Sequence, residues 1–334
     1  MDPSPSAALA DAFATEWGAV VATLIRVTGD WALAEDSAAE AFATAARRWP
    51  VDGVPRRPGA WLSTTARNAA VDRLRRRGAE QRALLRAAAD PTTDGLGRDE
   101  DAPGGVDRDV WAVASGPGVE AANGDTLRLV FTCCHPALPL EGRVALTLRT
   151  LGGLEVAEIA AAFGVTEAAM AKRLVRARQK IAHARIPYRV PSPHELPERL
   201  DGVLGVLYLV FTEGYAPTTG APARTDLATE AIRLARQVTT LLPDEPEAYG
   251  LLALMLLHDS RRGARVSPDG RLVPLEDQDR ALWNADQVGQ GLAALDAGLR
   301  AAAGGPAGPY LLQASIAACH ATAPSPEATP WSRV

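Results

Sequence analysis

The chain has 334 residues, enough for two or three domains, and its 47% hydrophobic and 22% charged residues are ordinary for a soluble globular protein. A formal net charge of −5 excludes reading the whole chain as a basic nucleic-acid binder, so the placement of charge matters more than its sum. Three cysteines, Cys133, Cys134 and Cys319, exclude a disulfide framework.

Alanine and leucine are abundant, β-branched and aromatic runs are scarce, and apolar residues recur at helical spacing, which predicts an all-α protein. Cys133-Cys134-His135 has no second ligand pair at metal-like spacing, so no metal is expected, and the cysteines read as buried thiols in a reducing compartment. No signal peptide opens the chain, and the apolar run Leu251 to Leu257 is too short to span a bilayer. A cytoplasmic protein without a membrane partner is expected.

Met1 to Ser6 is a Pro/Ser-rich tail. A first helix is predicted over Ala7 to Val27, with Leu9, Phe13, Trp17, Val20, Val21, Leu24 and Ile25 on its apolar side, and Gly29 ends it. A second runs from Trp31 to Trp49, turning Leu33, Ala34, Ala38, Ala41, Phe42, Ala45 and Trp49 inward and Glu35, Asp36 and Glu40 outward. That acidic face serves either solubility or docking of a basic partner, and periodicity does not choose between them.

After a loop from Pro50 to Pro58, a third helix mixes core spacing at Trp61, Leu62, Thr65, Ala69, Val71 and Leu74 with a face holding Arg67, Asn68, Asp72, Arg73, Arg75, Arg76 and Arg77. From Arg67 to Arg86 there are seven basic residues against two acidic ones. Arginines bind phosphates, Asn and Arg hydrogen-bond base edges, and Trp stacks beside an unpaired base. The combination suits single-stranded or melting DNA. A helix with a solvated basic side and a core Trp has the same pattern.

Residues 88–124 read as a flexible acidic linker, rich in Gly and Pro, with a short helix around Val110 to Ser115. Helices follow over Asp125 to His135 and Pro139 to Thr150. Then Glu155 to Phe163 forms a short amphipathic helix with Val156, Ile159, Ala160 and Phe163 at helical spacing. Gly164 supplies the corner, and Thr166 is a good N-cap for a second helix with Met170, Leu174, Ala177 and Ile181 inward. That helix carries Lys172, Arg173, Arg176, Arg178, Lys180 and Arg185, and Thr126 to Tyr188 holds nine basic residues against four acidic. A short helix, a Gly corner and a basic helix have the form of a helix-turn-helix, whose second helix enters a major groove. An ordinary helical hairpin with a solvated basic face is the alternative.

Three motifs in this order resemble the extracytoplasmic-function sigma factors of the sigma-70 class, which are initiation subunits of bacterial RNA polymerase. Trp31 to Phe42 is similar to the family's "AEDAVQEAF" segment. Trp61-Leu62, Ala66-Arg67-Asn68 and Asp72 to Arg76 are similar to its "WL…ARN…DxxRR" segment. Ala157 to Ala160 and Thr166 to Arg178 are similar to its "EIAxxLGxSExTVKSRLxRAR" segment. The resemblance covers about residues 9 to 185. It implies sigma region 2 over 7–87, the linker over 88–124 and a region 4 helix-turn-helix over 125–187. It further implies polymerase docking through Glu35, Asp36, Glu40 and Phe42. The −10 contacts would come from Trp61, Arg67, Asn68, Asp72, Arg73 and Arg76, and the −35 contacts from Thr166, Lys172, Arg173 and Arg176. Many members have Lys then Ser where this chain has Ala171 and Lys172, which shifts the basic side chain by one position.

Residues 188–334 resemble the tetratricopeptide-like C-terminal extension of one sigma subgroup, carrying "NEGY" and "DGRG" signatures. Here they are Thr212 to Tyr215 and Asp269 to Leu272, so Thr212 replaces the Asn and Leu272 the second Gly. Helices are expected over Glu198 to Phe211, Thr225 to Leu242, Pro246 to Ser260, Asp277 to Ala303 and Pro309 to Ala321, with another beginning near Trp331. Relatives continue with further helices, so final repeats are expected to be missing here. Glu213, Tyr215, Asp269 and Arg271 read as loop anchors or contacts to polymerase or the DNA-binding modules, rather than as acid–base groups. Taken together, these features imply an alternative sigma factor without cofactor or catalysis. Its partners are core RNA polymerase and promoter DNA, and its own extension, touching the sigma regions, regulates it. The other readings are a helical protein-binding adaptor and a polymerase-independent repressor.

Overall fold

The computed structural model describes residues 4–88, 119–215, 225–267 and 271–333. Most of the expected linker, its helix at Val110 to Ser115, and Asp269 lie outside the described residues. Among the described residues, twelve α-helices carry the fold: α1 Pro5–Thr28, α2 Trp31–Asp52, α3 Pro58–Ala88, α4 Val119–Cys133, α5 Leu140–Leu146, α6 Val156–Ala162, α7 Glu167–His183, α8 Leu196–Tyr215, α9 Thr225–Leu241, α10 Pro246–Asp259, α11 Ala285–Ala301 and α12 Pro309–Thr322. Among the described residues there is no named strand, only one isolated bridge between Val266 and Leu272. The all-α expectation holds. The chain divides into two compact units, 1–129 and 130–334.

In the first unit the helix ends follow capping chemistry. The Ser4 hydroxyl accepts from the Ala7 amide at 3.2 Å, and Pro5 opens α1. Asp30 caps α2 by accepting from the Leu33 amide at 3.0 Å. The core joins Trp17, Val21 and Leu24 of α1 to Leu33, Ala38 and Trp49 of α2. On α3 the buried stripe is Leu62, Ala66 and Ala70, not the expected set through Thr65, Ala69, Val71 and Leu74. Small alanines let α3 lie close against α2. By length and apolar content α1 is also long enough to cross a membrane, but its Trp17, Val20, Val21 and Leu24 are buried in the helical core. Asp125 of α4 is 1% exposed and pairs with Arg26 at 2.8 Å and Arg128 at 2.6 Å.

The second unit holds both the helix-turn-helix and the later helices. After α5 the backbone widens into a π turn over Thr147–Leu151, where the Gly152 amide bonds Thr147 O at 3.1 Å. Cys133 and Cys134 are buried, and Cys319 is half-buried; none of the three forms a disulfide among the described residues. Burial pushes the Cys134 thiol up to about 11. Arg199 of α8 donates to Phe131 O at 2.6 Å, and Arg233 of α9 donates to Leu151 O at 3.1 Å. Gly250 lets α10 meet α12, since a Cβ there would sit 2.6 Å from the Leu311 amide nitrogen. Glu247 then accepts from the Tyr310 and Leu311 amides at 2.8 and 3.2 Å, capping α12 from its neighbour. The helix expected over Asp277 to Ala303 is shorter. Asp279 and Asn284 each bond the backbone ahead of them, which splits the segment into a 3-10 turn and α11.

Candidate nucleic-acid interface

The helix-turn-helix is built as its residues require. Gly164 takes φ +61°, a conformation costly for any residue with a Cβ, and the Val165 amide closes the corner on Ala160 O at 3.0 Å. The Thr166 hydroxyl accepts from the Ala169 amide at 3.2 Å and starts α7. Met170, Leu174, Ala177 and Ile181 are buried, as their spacing predicts. The opposite face exposes Ala168, Lys172, Val175, Arg176 and Gln179.

The four residues expected at the −35 element are therefore not equivalent. Thr166 is a cap at the helix start with an exposed side chain. Lys172 and Arg176, four apart, share the exposed face. Arg173 turns away and pairs with Glu141 of α5 at 3.2 Å. The sequence reading missed Glu141, because nothing local to α5 marks its carboxylate as an arginine partner. It also missed Val175, 50% exposed beside Lys172 and Arg176. Its signal was present, since Val175 lies off the Met170–Leu174–Ala177–Ile181 stripe. The exposed valine thus sets a small apolar patch between two cations on one helix face.

On α3 the expected −10 residues split in the same way. Asn68, Asp72 and Arg76 stand at i, i+4 and i+8 on one exposed face. Arg73 and Arg77 instead continue the buried Leu62–Ala66–Ala70 stripe and reach α2. Arg73 pairs with Glu40 at 3.0 Å and lies 3.6 Å from Asp36. Arg77 pairs with Asp30 at 3.0 Å, and that bond together with the Leu33 amide holds the Asp30 carboxyl below its ordinary value despite partial burial. Arg67 is half-buried and partnered. Trp61 is half-buried and meets Trp49 edge-on, ring centres 5.8 Å apart.

The expected acidic docking face needs correction. Glu35 is not outward but 3% exposed, and Phe42 is 6% exposed. Phe42 packs on Phe13 and Trp17 with ring centres 5.1 and 5.8 Å away. A residue one position before Asp36 falls on the core side of the helix, and the long Glu35 side chain follows it inward. Asp36 and Glu40 remain exposed.

Comparison with known proteins agrees with this architecture. Residues 15–80 match the model of Sigma-70 region 2, and residues 128–181 match that of Sigma-70, region 4. Residues 199–299 match a family of unknown function, DUF6596. The chain is 41% identical over 312 residues to an uncharacterized protein, R00370, of Rhizobium meliloti (strain 1021), covering 93% of this chain and 70% of that one. The chain belongs to the sigma-70 family. It is an extracytoplasmic-function-like sigma factor with a C-terminal extension, and its class works with core RNA polymerase and promoter DNA. No solved structure matches this sigma factor. Within it, α3 lies in region 2, α7 in region 4, and α8 to α11 in the extension.

Proposed function

We propose that this sigma factor directs promoter-specific initiation by reading two elements, with 7–87 acting at −10 and on polymerase, 88–124 as linker and 125–187 acting at −35. The observation that carries this reading is the pair of exposed polar faces, Asn68–Asp72–Arg76 on α3 and Lys172–Val175–Arg176 on α7, on separate helical modules. Phosphate contacts supply affinity and make it salt-dependent, while Asn68 and Arg176 address base edges. Trp61 supports the melted edge, Asp36 and Glu40 face polymerase, and Thr166 fixes the start of the reading helix. The protein acts in the cytoplasm and catalyses no reaction itself.

The tetratricopeptide-like extension, 188–334, regulates in cis. Two hydrogen bonds support this: Arg199 to Phe131 O and Arg233 to Leu151 O run from extension helices to backbone on the region 4 side. Transcription in vitro with purified core polymerase tests the reading. Promoter-specific transcripts that depend on both polar faces support it. Tight duplex binding without polymerase supports a repressor instead, and neither activity leaves an adaptor.

A further inference from the structure

The extension contains a cavity of about 300 Å³ that none of the promoter contacts uses. It lies between α10 and α12, with Trp283 closing one side. Its size is at the lower end of small-molecule sites, roughly 300–1,000 Å³. Leu254, Leu257 and Ile316 give it apolar walls, and no lining residue among the described residues is acidic.

The polar groups at this cavity are short of an anion. Arg261 lies at its edge, and its guanidinium meets only a ring nitrogen, His258 Nδ1 at 3.1 Å, among the described residues. The neighbouring arginines are otherwise engaged. Arg262 is paired with Asp259, and Arg280 donates to His320 O and Ala323 O at 2.6 and 2.9 Å. Trp283 has a buried indole N–H with no acceptor among the described residues. Burial together with Arg261 and Arg265 pushes His258 down to about 4, so its ring is neutral and accepts from Arg261. His320 is lowered by burial and by Arg261 and Arg280. The positive field thus has no compensating carboxylate in the lining among the described residues.

We propose that this cavity binds a small organic acid, with an apolar body between Leu254, Leu257 and Ile316 and a single carboxylate at Arg261. One unpaired guanidinium matches one charge, and the apolar walls disfavour a polyphosphate. The Trp283 N–H and the Gln313 amide supply further donors to acceptor atoms on the ligand.

The test uses the full-length chain and matched probes: cinnamate with cinnamamide, indole-3-acetate with indole-3-acetamide, and octanoate with octanamide. Binding is read by saturation-transfer NMR and calorimetry. At least one acid is expected to bind at least about tenfold more tightly than its amide, the effect of one charge-assisted hydrogen bond. Arg261→Gln is expected to abolish that preference. Ile316→Trp, at a partly exposed position, fills the cavity and is expected to block acid and amide alike with melting unchanged. Failure of all three acids to bind at millimolar concentration overturns the proposal. So does an acid preference that survives Arg261→Gln, or binding that survives Ile316→Trp.

Discussion

Glu40 of α2 and Arg73 of α3 form an ion pair at 3.0 Å, and Asp36 lies 3.6 Å from the same guanidinium. Carboxylates proposed to face polymerase and an arginine in the −10 segment therefore share one cluster. Arg73 sits on the core-side stripe of α3, off the exposed face that carries Asn68 and Arg76.

This separates two variants that composition treats alike. Arg76→Ala is expected to lower the salt slope of promoter binding by holoenzyme by about one, and Arg73→Ala by much less. Because Asp36 and Glu40 are about half exposed or more, Arg73→Ala costs only about 0.5–1 kcal/mol of stability. Anisotropy titrations at several salt concentrations, with urea unfolding, check both. Equal slopes for the two variants contradict the assignment.

In region 4, Lys172→Ala and Arg176→Ala are each expected to weaken −35-dependent binding and reduce the salt slope by roughly one. Arg173→Ala acts through Glu141, so Glu141→Gln should reproduce most of its effect. A double-mutant cycle between Arg173 and Glu141 measures this. No coupling, with Arg173→Ala as damaging as Arg176→Ala, places Arg173 at the DNA instead.

The corner at Gly164 gives a conformational test. Gly164→Ala forces a Cβ into φ +61° and is expected to cost roughly 1–2 kcal/mol. Its effect should fall on −35 binding while binding of −10 single strand is retained. Thermal melting and separate −10 and −35 probes read the two effects.

Buried charge in the first unit gives another. Asp125→Asn leaves Arg26 and Arg128 without their carboxylate. Both arginines are about a third exposed and keep water, so the loss is expected to be about 1–3 kcal/mol rather than that of a fully buried pair. Urea unfolding of wild type and variant measures it.

His258 makes stability depend on pH. Its folded value, about 4, lies below the ordinary 6.5, so between these pH values the unfolded chain binds more protons. Stability from this group is present above pH 6.5 and is lost as pH falls toward 4, by on the order of 3 kcal/mol in all. His258→Gln should flatten the stability profile over that window, measured by unfolding at pH 7 and pH 5. An unchanged slope removes His258 as the cause.

Local chemistry made much of this legible in the sequence. Thr166 as cap, Gly164 as corner and Met170, Leu174, Ala177 and Ile181 as core all depend on neighbours within a few residues. What was not legible depends on partners far along the chain. Arg73 and Arg173 look like any surface arginine until α2 brings Glu40 and α5 brings Glu141. Glu35 resembles its neighbour Asp36, yet one position of helical rotation buries it. α11 starts later than the apolar pattern implies, because side-chain bonds at Asp279 and Asn284 compete with a continuous helix.

The most direct measurement is genome-wide run-off transcription in vitro, using core polymerase with and without the full-length protein. New start sites are expected to share a −35 and a −10 element at fixed spacing, and to vanish in both the Lys172→Ala/Arg176→Ala and the Asn68→Ala/Arg76→Ala proteins. No start sites beyond those of core alone, or shared sites indifferent to both double variants, would contradict the two-element reading.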